Sequence, residues 1–227
     1  MYRGMVIGIN LKTATFKLSY VEIMLFVTGL IFCLFSLIIH EVAHGYTAYK
    51  LGDLTAKNLG RLSLNPIMHI DVFGTILLPL LCIVTSYGFL GYPVVFGYAK
   101  PVPINPYNFK NPRKDMMWVG LSGPAANLAA AVCLSIIIKV LPEPLIIYFT
   151  IGALINIVFA VINLIPIPPL DGSRILFRML PRRLAYEYSK MEPFGFMIIV
   201  FLVLLVGRFT ILPLIGIIAS LLGLPLQ

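Results

Sequence analysis

His40-Glu41-Val42-Ala43-His44 places two imidazoles and a carboxylate within five residues. On a helix, the two histidines fall one turn apart on one face, where both can bind a single zinc ion. Glu41, offset by one residue, is then placed to act as general base on water that the metal acidifies. The motif closes an apolar run over residues 24–39. Ionisable groups at the end of a membrane-grade helix are costly to keep, rare, and usually functional.

A catalytic zinc takes three protein ligands and leaves one position open for water. His40 and His44 supply two. The third is His69, the one other histidine in the chain, or a carboxylate in or beside an apolar segment: Glu22, Asp71, Asp115, Glu143 or Asp171. Asp171 stands out, because it follows a long apolar stretch and is succeeded by Gly172, which permits close backbone approach. The competing reading of Asp171 is an N-cap for a helix that starts near Gly172. Spacing alone does not separate the two.

The elements that must position these groups belong to a membrane protein. Of 227 residues, 59% are hydrophobic and 11% charged, with a mean hydropathy of +0.97. A soluble domain carries about 25% charged residues. Apolar segments cover residues 21–49, 73–90, 116–141, 145–165 and 194–224. The last is too long for one upright helix of ~20 residues. Arg208 and Pro213 inside it predict a kinked helix or two segments. This patterning predicts an all-α bundle of about five to six transmembrane segments forming one membrane-embedded domain over 1–227, with its core at about 20–180. Residues 1–20 read as an interfacial segment or a short strand pair.

The net charge of +8 comes from basic clusters beside apolar segments, Lys110, Arg113 and Lys114, then Arg174, Arg178, Arg182, Arg183 and Lys190. Such clusters mark cytoplasmic loops and anionic lipid contact, so the expected partner is the bilayer and not nucleic acid. Cys33, Cys82 and Cys133 form no Cys-x-x-Cys pair and read as small core hydrophobes.

Three motifs occur in order: His40-Glu41-x-x-His44-Gly45, Ser122-Gly123-Pro124-x-x-Asn127, and Asn163-x-x-Pro166-x-Pro168-Pro169-Leu170-Asp171-Gly172. With them the chain resembles the site-2 protease family of intramembrane zinc metalloproteases. Gly60-Arg61-Leu62-Ser63-Leu64-Asn65-Pro66 and Lys100-Pro101-Val102-Pro103 are similar to its compact prokaryotic branch, without a PDZ or nucleotide-sensing domain. The resemblance implies one zinc held by His40, His44 and Asp171, with Glu41 catalytic and Asn163 beside the site against substrate or the reacting carbonyl. It implies hydrolysis of peptide bonds in membrane-spanning proteins. Asn163 is a candidate donor to the developing oxyanion, and equally a candidate tie between helices. Asn127 reads as a packing residue. From another class, the alternative is a non-proteolytic membrane zinc protein, a transporter or scaffold, which would have no use for Glu41.

If His40, His44 and Asp171 share one ion, the helices that precede them must point the same way. Segments 116–141 and 145–165 form an antiparallel pair, so residues 73–112 must begin and end on one side. A re-entrant or strand-like insertion is expected there, with Gly88, Gly91, Pro93 and Gly97 at its irregular part. Twelve of the 17 Lys and Arg then lie on the side of the site, which the positive-inside rule assigns to the cytoplasm of a multi-pass cell-membrane protein.

Overall fold

The computed structural model describes residues 20–90 and 97–225. The expectations for residues 1–19, Gly91 and Pro93 lie outside these. Helix α1 is Tyr20–Lys50. Its 31 residues span about 46 Å at 1.5 Å per residue, enough to cross a hydrocarbon core of ~30 Å. It stops where Gly52 takes φ +109°, a left-handed conformation that glycine adopts without steric cost. Lys50 Nζ lies over the rings of Tyr46 and Tyr49, at 5.3 and 6.0 Å. Aromatic and basic residues of this kind anchor a helix end at the membrane interface.

Beyond α1, the short helix α2 (Thr55–Asn58) and a 3-10 turn at Pro66–His69 lead to a π-helical turn, Val72–Leu77, that runs into α3 (Leu78–Leu90). The chain returns beside its own start: Tyr98 N–H donates to Gly74 O at 3.0 Å and Lys100 N–H to His69 O at 2.9 Å. The excursion therefore leaves and rejoins at one level, as the re-entrant expectation requires. It is not strand-like: among the described residues there is no strand, and Gly88 lies inside α3. An apolar segment in hydrocarbon must satisfy its own backbone groups, and a helix does so without a partner strand.

Helices α4 (Pro112–Ile138) and α5 (Glu143–Asn163) form the antiparallel pair. Both pack on α1 and on each other. Small residues permit the close approach that helix association in a membrane depends on: Gly152 of α5 lies under the Phe32 ring of α1, and Ala131, Ala153 and Ala160 are fully buried. After α5 come two short amphipathic helices, α6 (Gly172–Met179) and α7 (Arg182–Ser189). The C-terminal apolar stretch resolves into two helices, α8 (Glu192–Leu205) and α9 (Ile211–Leu221), broken over 206–210 beside Arg208. Ile211, Ile215 and Ala219 of α9 join Ala153, Ile157 and Val161 of α5 in one core cluster. Among the described residues three helices, α1, α4 and α5, are long and apolar enough to cross a membrane, and α3, α8 and α9 are shorter apolar helices. The chain is an all-helical, multi-pass membrane protein.

Candidate metal centre

His40 and His44 are buried on the face of α1 turned to α4 and α5. The Nε2 atoms of the two rings lie 2.9 Å apart, and Asp171 Oδ2 lies 2.9 Å from His40 Nε2 and 3.0 Å from His44 Nε2. Three donor atoms from segments 131 and 127 residues apart thus form a nearly equilateral triangle. Tetrahedral zinc with bonds of ~2.0–2.1 Å would set such atoms about 3.3 Å apart.

The outer nitrogens decide which proton each ring carries. His44 Nδ1 faces Val119 O at 2.6 Å. A carbonyl only accepts, so Nδ1 donates. His40 Nδ1 faces Asn127 Oδ1 at 2.6 Å. The Asn127 amide nitrogen is already committed to Ser36 O at 3.1 Å and Asn156 Oδ1 at 2.9 Å. Its oxygen is therefore the acceptor, and His40 Nδ1 donates as well. Neutral rings held this way turn two Nε2 lone pairs toward one carboxylate oxygen, and three electron-rich atoms converge on one point. That donor set calls for a cation, and mixed imidazole and carboxylate ligands suit zinc. Space is also kept for it. A Cβ built on Gly123 of α4 would come within 2.5 Å of His44 Nε2 and 2.6 Å of His40 Nε2.

Asp171 stands at the N-cap position of α6, yet its side chain makes no capping hydrogen bond. It turns to the imidazoles instead, and its second oxygen lies 3.7 Å from Arg174 Nη1. The capping role that competed for Asp171 belongs to other carboxylates. Asp71 accepts from Gly74 N–H at 2.7 Å, and Asp115 accepts from Asn111 N–H at 2.9 Å. Glu143 opens α5 and Glu22 opens α1, both far along the chain from the site ends of those helices. His69 is buried elsewhere, donating from Nε2 to Ser63 O at 2.6 Å.

Glu41 is half-buried, and its Oε2 accepts the Val102 N–H at 2.8 Å. Asn163, the last residue of α5, donates from its amide to Phe159 O within the same helix at 3.0 Å. No hydrogen bond among the described residues joins it to the triangle.

Two residues gain a role that the sequence reading did not give them. Asn127 does tie α1, α4 and α5 together, as a packing residue would, but it also orients His40. Gly123 leaves room for both rings. The available signal was their spacing of four, which puts them on one face of α4. Groups that fix the outer nitrogen of a ligating histidine typically contribute 10–100-fold to metal affinity. Asn127→Ala is therefore expected to weaken zinc binding by about 10- to 100-fold, measured by competition with a chelator of known affinity.

Comparison with known proteins agrees with this geometry. The profile of Peptidase family M50 matches residues 139–206. A Bacillus subtilis (strain 168) protein named "Putative zinc metalloprotease YwhC" is 37% identical over 195 residues, covering 80% of this chain and 82% of its own. A Mycolicibacterium smegmatis protein named "Putative zinc metalloprotease Rip2" is 31% identical over 191 residues, covering 82% of this chain and 70% of its own. No solved structure matches the chain. Relatedness over most of both chains, with a donor triangle that could hold a metal ion, places this protein in peptidase family M50, the site-2 protease family of zinc metalloproteases.

Proposed function

We propose that this zinc metalloprotease cuts peptide bonds of membrane-spanning substrates, using His40, His44 and Asp171 to hold the metal and Glu41 to move the proton. The observation that carries the reading is the place of the triangle on an apolar helix long enough to cross a membrane. His40 lies ten residues before the end of α1, about 15 Å along the helix, and His44 lies two residues before the interfacial Tyr46. The centre thus sits inside the apolar layer, near one surface. Zinc bound there supplies the Lewis acidity that hydrolysis at neutral pH needs.

The chain's own groups do the rest. Glu41 takes the proton of the attacking water on a carboxylate oxygen and returns it to the leaving nitrogen. Asn127 and Val119 take the outer Nδ1 protons of His40 and His44, which leaves Nε2 of each ring as the atom to hold the metal. Asn163, at the site end of α5, is the candidate to meet the substrate carbonyl once its amide leaves Phe159 O. The Lys and Arg cluster on the side of the triangle, which by the positive-inside rule assigns that side to the cytoplasm of the cell membrane.

The test uses purified full-length protein in detergent and a single-span peptide with a fluorophore and a quencher on either side of a central Asn-Gly. Asp171→Ala is expected to lose at least nine-tenths of its zinc and all measurable cleavage. Full zinc occupancy in that variant would remove Asp171 from the metal and end this account of the site.

A further inference from the structure

Resting on the proposed role of Glu41, we infer that Arg61 is a positioning residue for that carboxylate, acting through the peptide group between Pro101 and Val102. Arg61 is buried, 7% exposed. It enters no ion pair among the described residues, and its Nε has no hydrogen-bond partner. A buried guanidinium without a carboxylate is expensive, so its contacts carry the explanation. Arg61 Nη2 donates to Lys100 O at 2.8 Å and reaches Pro101 O at 3.4 Å. Pro101 C=O and Val102 N–H belong to one peptide group, and that N–H is the one held by Glu41 Oε2 at 2.8 Å.

The arrangement reads as a charge pair bridged by a peptide: guanidinium, carbonyl, amide, carboxylate. A cation at the carbonyl end strengthens the donor at the amide end, because linked hydrogen bonds polarise one another. The local sequence makes this bond the only one on offer. Within Pro101-Val102-Pro103, two of the three residues have no N–H, which leaves Val102 as the sole donor. Its register is fixed by packing. Val102 is 5% exposed. A Cβ on Gly45 would meet Val102 Cγ1 at 2.6 Å and Leu62 Cδ2 at 2.7 Å, so the side chains beside both partners seat on the same glycine of α1. Lys100 N–H, bonded to His69 O at 2.9 Å, anchors the other end. With Oε2 pinned, Glu41 has one rotamer and one oxygen, Oε1, left to take a proton from water.

The experiment compares Arg61→Ala, Arg61→Lys, Val102→Pro and Val102→Ala with the parent protein, on the quenched single-span peptide, with zinc measured in each sample. Arg61→Ala and Val102→Pro are expected to lower kcat by about 10- to 100-fold, the usual cost of a misplaced catalytic group, with KM within about twofold and zinc intact. Arg61→Lys, which keeps one donor, should recover part of the loss. Val102→Ala, which keeps the N–H and loses only the packing that sets its register, should lose less than Val102→Pro. Unchanged kcat in Arg61→Ala or Val102→Pro overturns the inference, and so does a rise in KM alone, since the segment would then serve substrate docking. Where Arg61→Ala loses zinc, the Val102 pair decides. If Val102→Pro loses zinc too, the inference is overturned, because the segment would be holding the metal centre and not Glu41. A Glu41→Gln control separates the two levels. Activity in that variant would sink the role of Glu41 itself, whereas an inactive Glu41→Gln beside a fully active Arg61→Ala would sink the positioning role alone.

Discussion

Glu41→Gln is expected to keep its zinc and lose about a thousandfold or more in kcat, within the range that a positioned acid–base group contributes. The substitution is close to isosteric. A glutamine oxygen still accepts the Val102 N–H, so the local structure and the packing of α1 on α4 and α5 survive. What it lacks is a group that can take a proton from water and hand it to the leaving nitrogen. None of the three convergent donor atoms belongs to residue 41, since the triangle is made by His40, His44 and Asp171. The rate on the single-span peptide, normalised to zinc content, is the measurement. A zinc-loaded Glu41→Gln protein that cleaves at the parental rate would mean that this carboxylate handles no proton in the cleavage.

The second large effect is expected at a residue that touches no substrate. Gly123→Ala should cut zinc occupancy at least tenfold. The added carbon would stand 2.5 Å from His44 Nε2 and 2.6 Å from His40 Cε1, separations that real Cβ atoms essentially never show. The rings have nowhere to retreat, because Val119 O and Asn127 Oδ1 hold their outer nitrogens at 2.6 Å. Relief would need α4 to move away from α1, at the expense of close-packed contacts along both helices. Ordinary helix propensity runs the other way, with alanine favoured over glycine by about 1 kcal/mol. A loss of metal would therefore report the steric clash. Gly29→Ala is the matched control. It lies in the same bundle, where a Cβ would meet Ile151 at an ordinary 4.0 Å, and should leave zinc occupancy unchanged. Equal occupancy in Gly123→Ala and Gly29→Ala would show that the cradle is looser than these distances state.

Much of the architecture was readable from patterning. An apolar run that ends in His-Glu-x-x-His sets a helix and a metal-binding face together, because the 3.6-residue period places residues 40 and 44 on one side. The requirement that two distant ligands meet also predicted that residues 73–112 begin and end on one side, and Tyr98 beside Gly74 and Lys100 beside His69 show that return. The strand-like form of the insertion was not readable correctly. Hydropathy does not distinguish a buried strand from a helix that closes its own hydrogen bonds in lipid. The C-terminal stretch had the same ambiguity, and the break over 206–210 settled it in favour of two helices.

The chemistry of the centre divides in the same way. Residue types and local periodicity were enough to determine a histidine pair on one helix face, a carboxylate beside it and a membrane setting, because those properties need only one helix and its composition. Tertiary structure alone decided between the cap and ligand readings of Asp171: its carboxylate faces the imidazoles, while Asp71 accepts Gly74 N–H and Asp115 accepts Asn111 N–H at helix starts. It alone decided that Asn127 and Val119 set the ring tautomers, and that Arg61 reaches Glu41 through a peptide group. These contacts join atoms tens of residues apart at 2.6 to 3.4 Å, and no local pattern in the chain encodes such distances.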